Sequence, residues 1–188
     1  MPQLTYDGKP ACACQVRWLT VFSRLLVILN LPPLVIAQLI GDAPASKGRH
    51  LGGGNIDWWS VAVTLARLAR QYGGLAMIRD GSRDSFDDNE HTHVYLVGCP
   101  HMSPGAQSDM AEVLRGGDGL IGDVPDDPRL AGAYVPGRTW SQGVELMLAF
   151  IREAERQEKI RKAEARQAKW TRWLKKSKSY VRRLKAKS

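Results

Sequence analysis

A chain of 188 residues that is 44% hydrophobic can bury a core, which excludes global disorder, and its length suits one domain plus an appendage. Its net charge of +8 is uneven: 15 of the 27 Lys/Arg but only 4 of the 19 acidic residues lie from Arg152 onward, so any attraction for anionic partners belongs to the tail. Three cysteines, Cys12, Cys14 and Cys99, are too few and too odd for a disulfide framework; they are read as free thiols, because no second Cys-x-Cys or Cys-x-x-Cys completes four metal ligands.

Residues 15–30 place Trp18, Val21, Leu25, Ile28 and Leu29 close to one helical face, and Pro32-Pro33 ends the helix. The run 34–40, LVIAQLI, reads as a strand. Residues 18–40 together match the roughly 20 residues a membrane span needs, yet Arg24, Asn30 and the proline pair interrupt them. They also start late for a secretory signal, so a buried helix, a break and a buried strand are expected, with no clear signal peptide. Residues 41–54 read as loop, and NIDWW at 55–59 as the next strand. An amphipathic helix follows at 61–72, stopped by Gly73-Gly74. LAMIRD (75–80) and HVYLVG (93–98) read as strands joined by the polar stretch 81–91. A helix near 105–116, a Gly/Asp/Pro-rich loop to about 138 and a helix from Ser141 nearly to the end complete the chain. This order predicts an α+β fold: a small, mainly antiparallel sheet with flanking helices in residues 1–138, and a long C-terminal helical extension, 139–188, with a basic amphipathic end.

The segment 46–57, SKGRHLGGGNID, brings His50 and Asp57 to either side of three glycines. Both are good zinc ligands, and glycine lets the backbone fold tightly where a Cβ would intrude. A catalytic zinc takes three protein ligands and keeps one open position, so a third ligand is needed. The stretch NEHTHVYLVG offers it in His93. His91 and His93 are expected to face opposite sides of their strand, so that only one enters a site on one face. Glu90, three residues before His93, can act as general base on a zinc-activated water and then as general acid toward a leaving amine. His101, in the turn after Pro100, is not counted among the ligands. Of Trp58 and Trp59, one is expected in the core and the other along a groove.

These residues resemble a known family. SKGRHLGGGNID is similar to the Ser-x-Gly-x-His-x-x-Gly-x-Ala-x-Asp signature of the zinc D-alanyl-D-alanine carboxypeptidase and L-alanyl-D-glutamate endopeptidase group, which acts on bacterial cell-wall peptides. Glu90-His91-Thr92-His93 resembles that group's second signature. The likeness is greater to the actinobacterial and actinophage branch: Gln38, Ser46, Gly48, His50, Gly52–Gly54, Asp57, Arg79, His91, His93 and VGCPHMSPGAQ fall in that branch's order, over about residues 4–130. The resemblance implies a DD-peptidase-like fold, Zn2+ held by His50, Asp57 and His93, and Glu90 (or Asp87 or Asp88) as base. It further implies Ser46 supporting the metal loop and Arg79 holding a substrate carboxylate or carbonyl oxygen. The chain departs from the branch at Arg49, where Thr is usual, and at Asn55, where a small Ala is usual. QLIGD replaces the usual Gln-Gly-Ser-Tyr segment, and the upstream substrate-gripping arginine of many relatives is missing.

Residues 165–188 hold ten Lys/Arg and no acid, while Trp170, Trp173, Leu174, Tyr180, Val181 and Leu184 recur at three- and four-residue spacing. Such a helix suits an interface, with anionic envelope polymers or membrane as partners; packing on the chain's own domain comes second and nucleic acid last. The expectation is a monomeric, endolysin-like zinc metallopeptidase of peptidoglycan, made in the host cytoplasm and acting at the cell wall after release. The alternative is a non-catalytic binding module, with or without zinc, whose basic tail binds membrane or nucleic acid.

Overall fold

In the computed structural model, which describes residues 4–41, 48–81, 90–119 and 125–185 (side chains at 180, 181 and 183–185 aside), the chain opens with a short hairpin. Strands β1 (Leu4–Tyr6) and β2 (Lys9–Ala11) pair antiparallel across Asp7-Gly8. Both turn residues take positive φ, 52° and 72°, the conformation that a two-residue hairpin turn requires. The Asp-Gly signal lies in the sequence, but strands of three residues are too short to show an apolar period.

Helix α1 (Ala13–Ile28) buries Trp18, Leu19, Phe22, Leu25 and Leu26 along one stripe. It stops before Pro32-Pro33, earlier than expected. Asn30 turns left-handed at φ 54°, its N–H bonds the Val27 carbonyl at 3.2 Å, and Leu31 N–H reaches back to Leu26 O at 2.9 Å. That pair of bonds satisfies carbonyls the helix end would otherwise leave bare.

The main sheet contains β3 (Ile36–Gln38), β4 (Asn55–Trp58), β5 (Gly74–Arg79) and β6 (His91–Leu96), in the order β3-β4-β6-β5 with every pairing antiparallel. Helix α2 (Val63–Gln71) precedes β5, and α3 (Pro104–Leu114) follows β6. Ser103 caps α3 by accepting the Ala106 N–H, and Pro104 occupies the first turn, where its missing N–H costs nothing. Alternation along the strands divides the sheet into two faces. One face packs on α1 through Trp58, whose ring stands 6.3 Å from Phe22; Phe22 in turn stacks on Trp18 at 4.4 Å. The other face carries Asn55 and Asp57 opposite Tyr95 and His93. The observed fold is α+β, with two small antiparallel sheets, flanking helices and a long C-terminal helix, α4 (Trp140–Lys185).

Two compact units emerge, Met1–Leu148 and Ala149–Ser188. The second is helical through Lys185 and carries exposed ion pairs from Glu153 to Arg156 and from Glu158 to Arg161 and Lys162. In it Trp170 and Trp173 are 60% and 55% exposed and stack at 4.9 Å; the expected stripe partners Tyr180, Val181 and Leu184 lie outside the described side chains. Among the described residues no helix is long and apolar enough to cross a membrane.

Candidate metal centre

The sheet register brings the first two ligand candidates together. Asp57 on β4 stands directly opposite His93 on β6, and Asp57 Oδ1 lies 2.5 Å from His93 Nδ1. His50 arrives from a single 3-10 turn, Arg49–Leu51, whose entry is Gly48 at φ 77°. Its Nδ1 lies 2.6 Å from the Leu39 carbonyl, so Nδ1 carries the proton and donates it. The other ring nitrogen, Nε2, faces Asp57 Oδ2 at 3.2 Å: protonated, it donates to the carboxylate, and in the neutral ring it is the nitrogen whose lone pair is free for a metal. The two imidazoles meet nearly edge-on, at 86° with centroids 5.1 Å apart. One ligand atom from each of His50, Asp57 and His93 falls within 4.8 Å of the others, and all three residues are buried.

This trio could hold a metal ion, and a further observation fits one. Asp57 Oδ1 is buried and receives no hydrogen bond among the described residues, although a ring nitrogen stands 2.5 Å away. His93 Nε2 is also buried without a hydrogen-bond partner among them. A buried carboxylate oxygen without a donor is costly. A cation between the two rings and the carboxylate removes that cost.

Charge in the trio follows the same logic. Burial opposes ionisation of Asp57, but the two adjacent imidazoles outweigh it and hold the carboxyl well below its usual range. Burial also opposes charge on His50; there the hydrogen bond and charge of Asp57 and the Leu39 carbonyl prevail and raise the imidazole above its ordinary value. For His93 burial prevails over Asp57 and lowers it, with His50 and Arg79 adding to the effect. Of the two imidazoles, His50 therefore takes up a proton more readily than His93.

One expectation about the strand is corrected. Residues two apart on a strand share a face, so His91 and His93 point the same way. His91 sits one pair further along, opposite Arg79, with its ring edge toward Trp59 at 6.4 Å. Trp58 is wholly buried and Trp59 is 53% exposed, as expected of one core and one open ring. Arg79 is buried, and its guanidinium donates to the Asp118 carbonyl at 3.0 Å, with the Asp118 carboxylate 3.9 Å away. Glu90 is exposed immediately before β6 and is not a member of the ligand group. Ser46, Asp87 and Asp88 lie outside the described residues.

Arg49 and Asn55, two of the positions that depart from the signature the sequence resembles, belong to one network. Arg49 forms an ion pair with Asp109 of α3, and Asp109 also accepts the Tyr95 hydroxyl at 3.1 Å. The Arg49 carbonyl accepts Asn55 Nδ2 at 2.5 Å and the Ser103 hydroxyl at 3.0 Å. Gln15 Nε2 donates to the Asn55 carbonyl at 2.5 Å, which ties α1 to the start of β4. The His50 turn is thus anchored on both sides by residues that spacing alone did not single out.

The cysteines are buried and free of disulfides, as expected. What the sequence reading did not place is their grouping with His101: Cys12, Cys14, Cys99 and His101 form a second group whose potential ligand atoms lie within 4.8 Å of one another.

No family model, curated protein or solved structure matches the chain.

Proposed function

We propose that the chain is a zinc-dependent peptidase that hydrolyses an amide bond in the stem peptides of bacterial peptidoglycan. The observation that carries this reading is the buried Asp57 carboxylate set between two imidazoles, its Oδ1 without a hydrogen bond among the described residues. Two nitrogens and one carboxylate oxygen suit zinc, and three protein ligands are the number that leaves a position for chemistry. A zinc ion held there supplies Lewis acidity toward a carbonyl oxygen and brings the pKa of water to about 7.

The chain's own residues provide the rest. Leu39 fixes the His50 tautomer, so Nε2 is presented as a lone pair. Glu90, solvent-exposed and three residues from His93, takes the proton of the attacking water and returns it to the leaving amine. Arg79 is committed to Asp118, so it acts on developing negative charge through its field rather than by a direct grip. The cationic segment from residue 165, with its exposed Trp170 and Trp173, attaches the enzyme to an anionic envelope. The resulting picture is an endolysin-like enzyme acting at the wall after release from the cytoplasm.

The test is digestion of purified sacculi by the zinc-loaded chain, read as new amino groups and as muropeptide masses. Glu90→Gln is expected to keep its zinc and lose activity by about 10²–10⁴-fold. A variant as active as the parent removes Glu90 from the mechanism. A zinc-loaded parent that releases no amino groups replaces the peptidase with a binding module. Pelleting with walls or anionic vesicles is expected to weaken as salt rises, and salt-insensitive pelleting overturns electrostatic attachment.

A further inference from the structure

We infer that the chain carries a second, structural zinc site formed by Cys12, Cys14, Cys99 and His101. The ligands come as two short pairs, Cys12-Ala13-Cys14 at the start of α1 and Cys99-Pro100-His101 in the turn between β6 and α3. Sulfurs at 2.3 Å and a nitrogen near 2.0 Å around one tetrahedral zinc stand about 3.8 Å apart for S···S and about 3.6 Å for S···N. The separations here are 3.8 Å for Cys12 Sγ to Cys99 Sγ, 3.6 Å for Cys14 Sγ to His101 Nδ1, and 3.7 Å for Cys99 Sγ to His101 Nδ1. No thiol pair is near disulfide length. Thiols are weak hydrogen-bond donors, so three of them around one ring nitrogen gain little from each other without an ion.

The chemistry is self-consistent. Binding releases three thiol protons and leaves Zn2+ with three thiolates and a neutral imidazole, a net charge of −1. That charge sits at the N-terminus of α1, a helix with no acidic residue in its first turn, where the helix dipole favours an anion. Four protein ligands close the coordination shell, so the site is structural rather than catalytic.

The backbone is shaped around this cluster. A Cβ on Gly53 would stand 2.5 Å from Cys12 Sγ, one on Gly52 2.3 Å from the His101 carbonyl, and one on Gly54 3.0 Å from the Cys99 side chain. Gly53 N–H also donates to the His101 carbonyl at 2.7 Å. Gly53 and Gly54 are therefore pressed against Cys12 and Cys99, and Gly52 against the backbone of His101 and Ser103. The second ion would clamp α1, the β6–α3 turn and this loop together.

The inference does not depend on peptidase activity, and its test separates the two sites. The purified chain is expected to hold two zinc ions by elemental analysis. Replacement by cobalt is expected to give thiolate-to-cobalt charge-transfer absorption. A His50→Ala/Asp57→Ala variant should keep that absorption and one ion, because its missing ligands include no sulfur. Cys99→Ser should lose the absorption and one ion. If Cys99→Ser does not fold, the parent chain still decides: its thiols should resist alkylation until a chelator is added. No cobalt–thiolate absorption, alkylation indifferent to chelator, bound iron in place of zinc, or an intact mass two hydrogens light from a disulfide would each overturn the assignment.

Discussion

Asp57 and His93 are cross-strand partners on β4 and β6, and their side chains approach to 2.5 Å from the same face of the sheet. Their meeting is a property of strand register, so it is maintained by the whole sheet rather than by a loop. Asp57→Asn keeps the shape and removes the anionic donor. It is expected to weaken zinc at this site by more than the roughly 10–100-fold that loss of a supporting partner costs. Competition with a chelating dye, with near-ultraviolet circular dichroism to confirm the fold, measures this. Unchanged affinity would remove Asp57 from the ligand set.

Zinc affinity at the same site should depend on one proton. Asp57 is held ionised, His93 is lowered and therefore neutral near pH 7, and His50 alone is raised. In the metal-free chain, protonated His50 contributes stability below its unfolded value near 6.5, and that contribution is lost as pH rises through the raised folded value. Zinc needs Nε2 unprotonated, so the sign for binding is opposite. Affinity should fall about tenfold per pH unit below the raised His50 value. Titrations between about pH 5 and 8 that show a slope of two protons would mean that His93 is also charged.

Asp109 anchors the His50 turn by pairing with Arg49 and accepting the Tyr95 hydroxyl. Asp109→Ala leaves Arg49 without its largely buried counter-charge and is expected to cost about 2–4 kcal/mol, near the low end for a broken buried pair because both partners keep some solvent contact. Denaturant unfolding measures the loss. Zinc affinity at His50 should fall with it, and an unchanged affinity would show that the glycine loop alone positions the histidine.

Gly53→Ala places a methyl group against Cys12 and His101. Overpacking of this kind costs about 1–3 kcal/mol, which in a chain of this size lowers Tm by about 2–12 °C. Thermal melts of the zinc-loaded chain test it. A Tm equal to that of the parent would mean that the loop shifts freely and is not clamped.

Much of the fold was legible because burial leaves a period in the chain. The stripe of α1, the amphipathic α2 and the apolar runs of β5 and β6 follow from it. The end of α1 was misplaced because Asn30, one residue in a left-handed cap, stops the helix before the more visible proline pair does. The β1–β2 hairpin went unread because six strand residues carry no usable period.

The site was legible to a different depth. The candidate donors stand in the sequence in order: His50, Asp57 and His93 around three glycines, one Cys-x-Cys pair, and a cationic tail. Which donors share a point follows from how the segments pack. Cys12 and Cys99 are 87 residues apart, yet their sulfurs stand 3.8 Å from one another. The fold also sets Gly53 against Cys12 and Gly54 against Cys99, as well as beside the His50 turn. The physical reason is that metal ligation is a matter of about 2.0–2.3 Å around one centre. Spacing along a chain sets such distances only within a turn or a strand; between segments they come from strand register and packing.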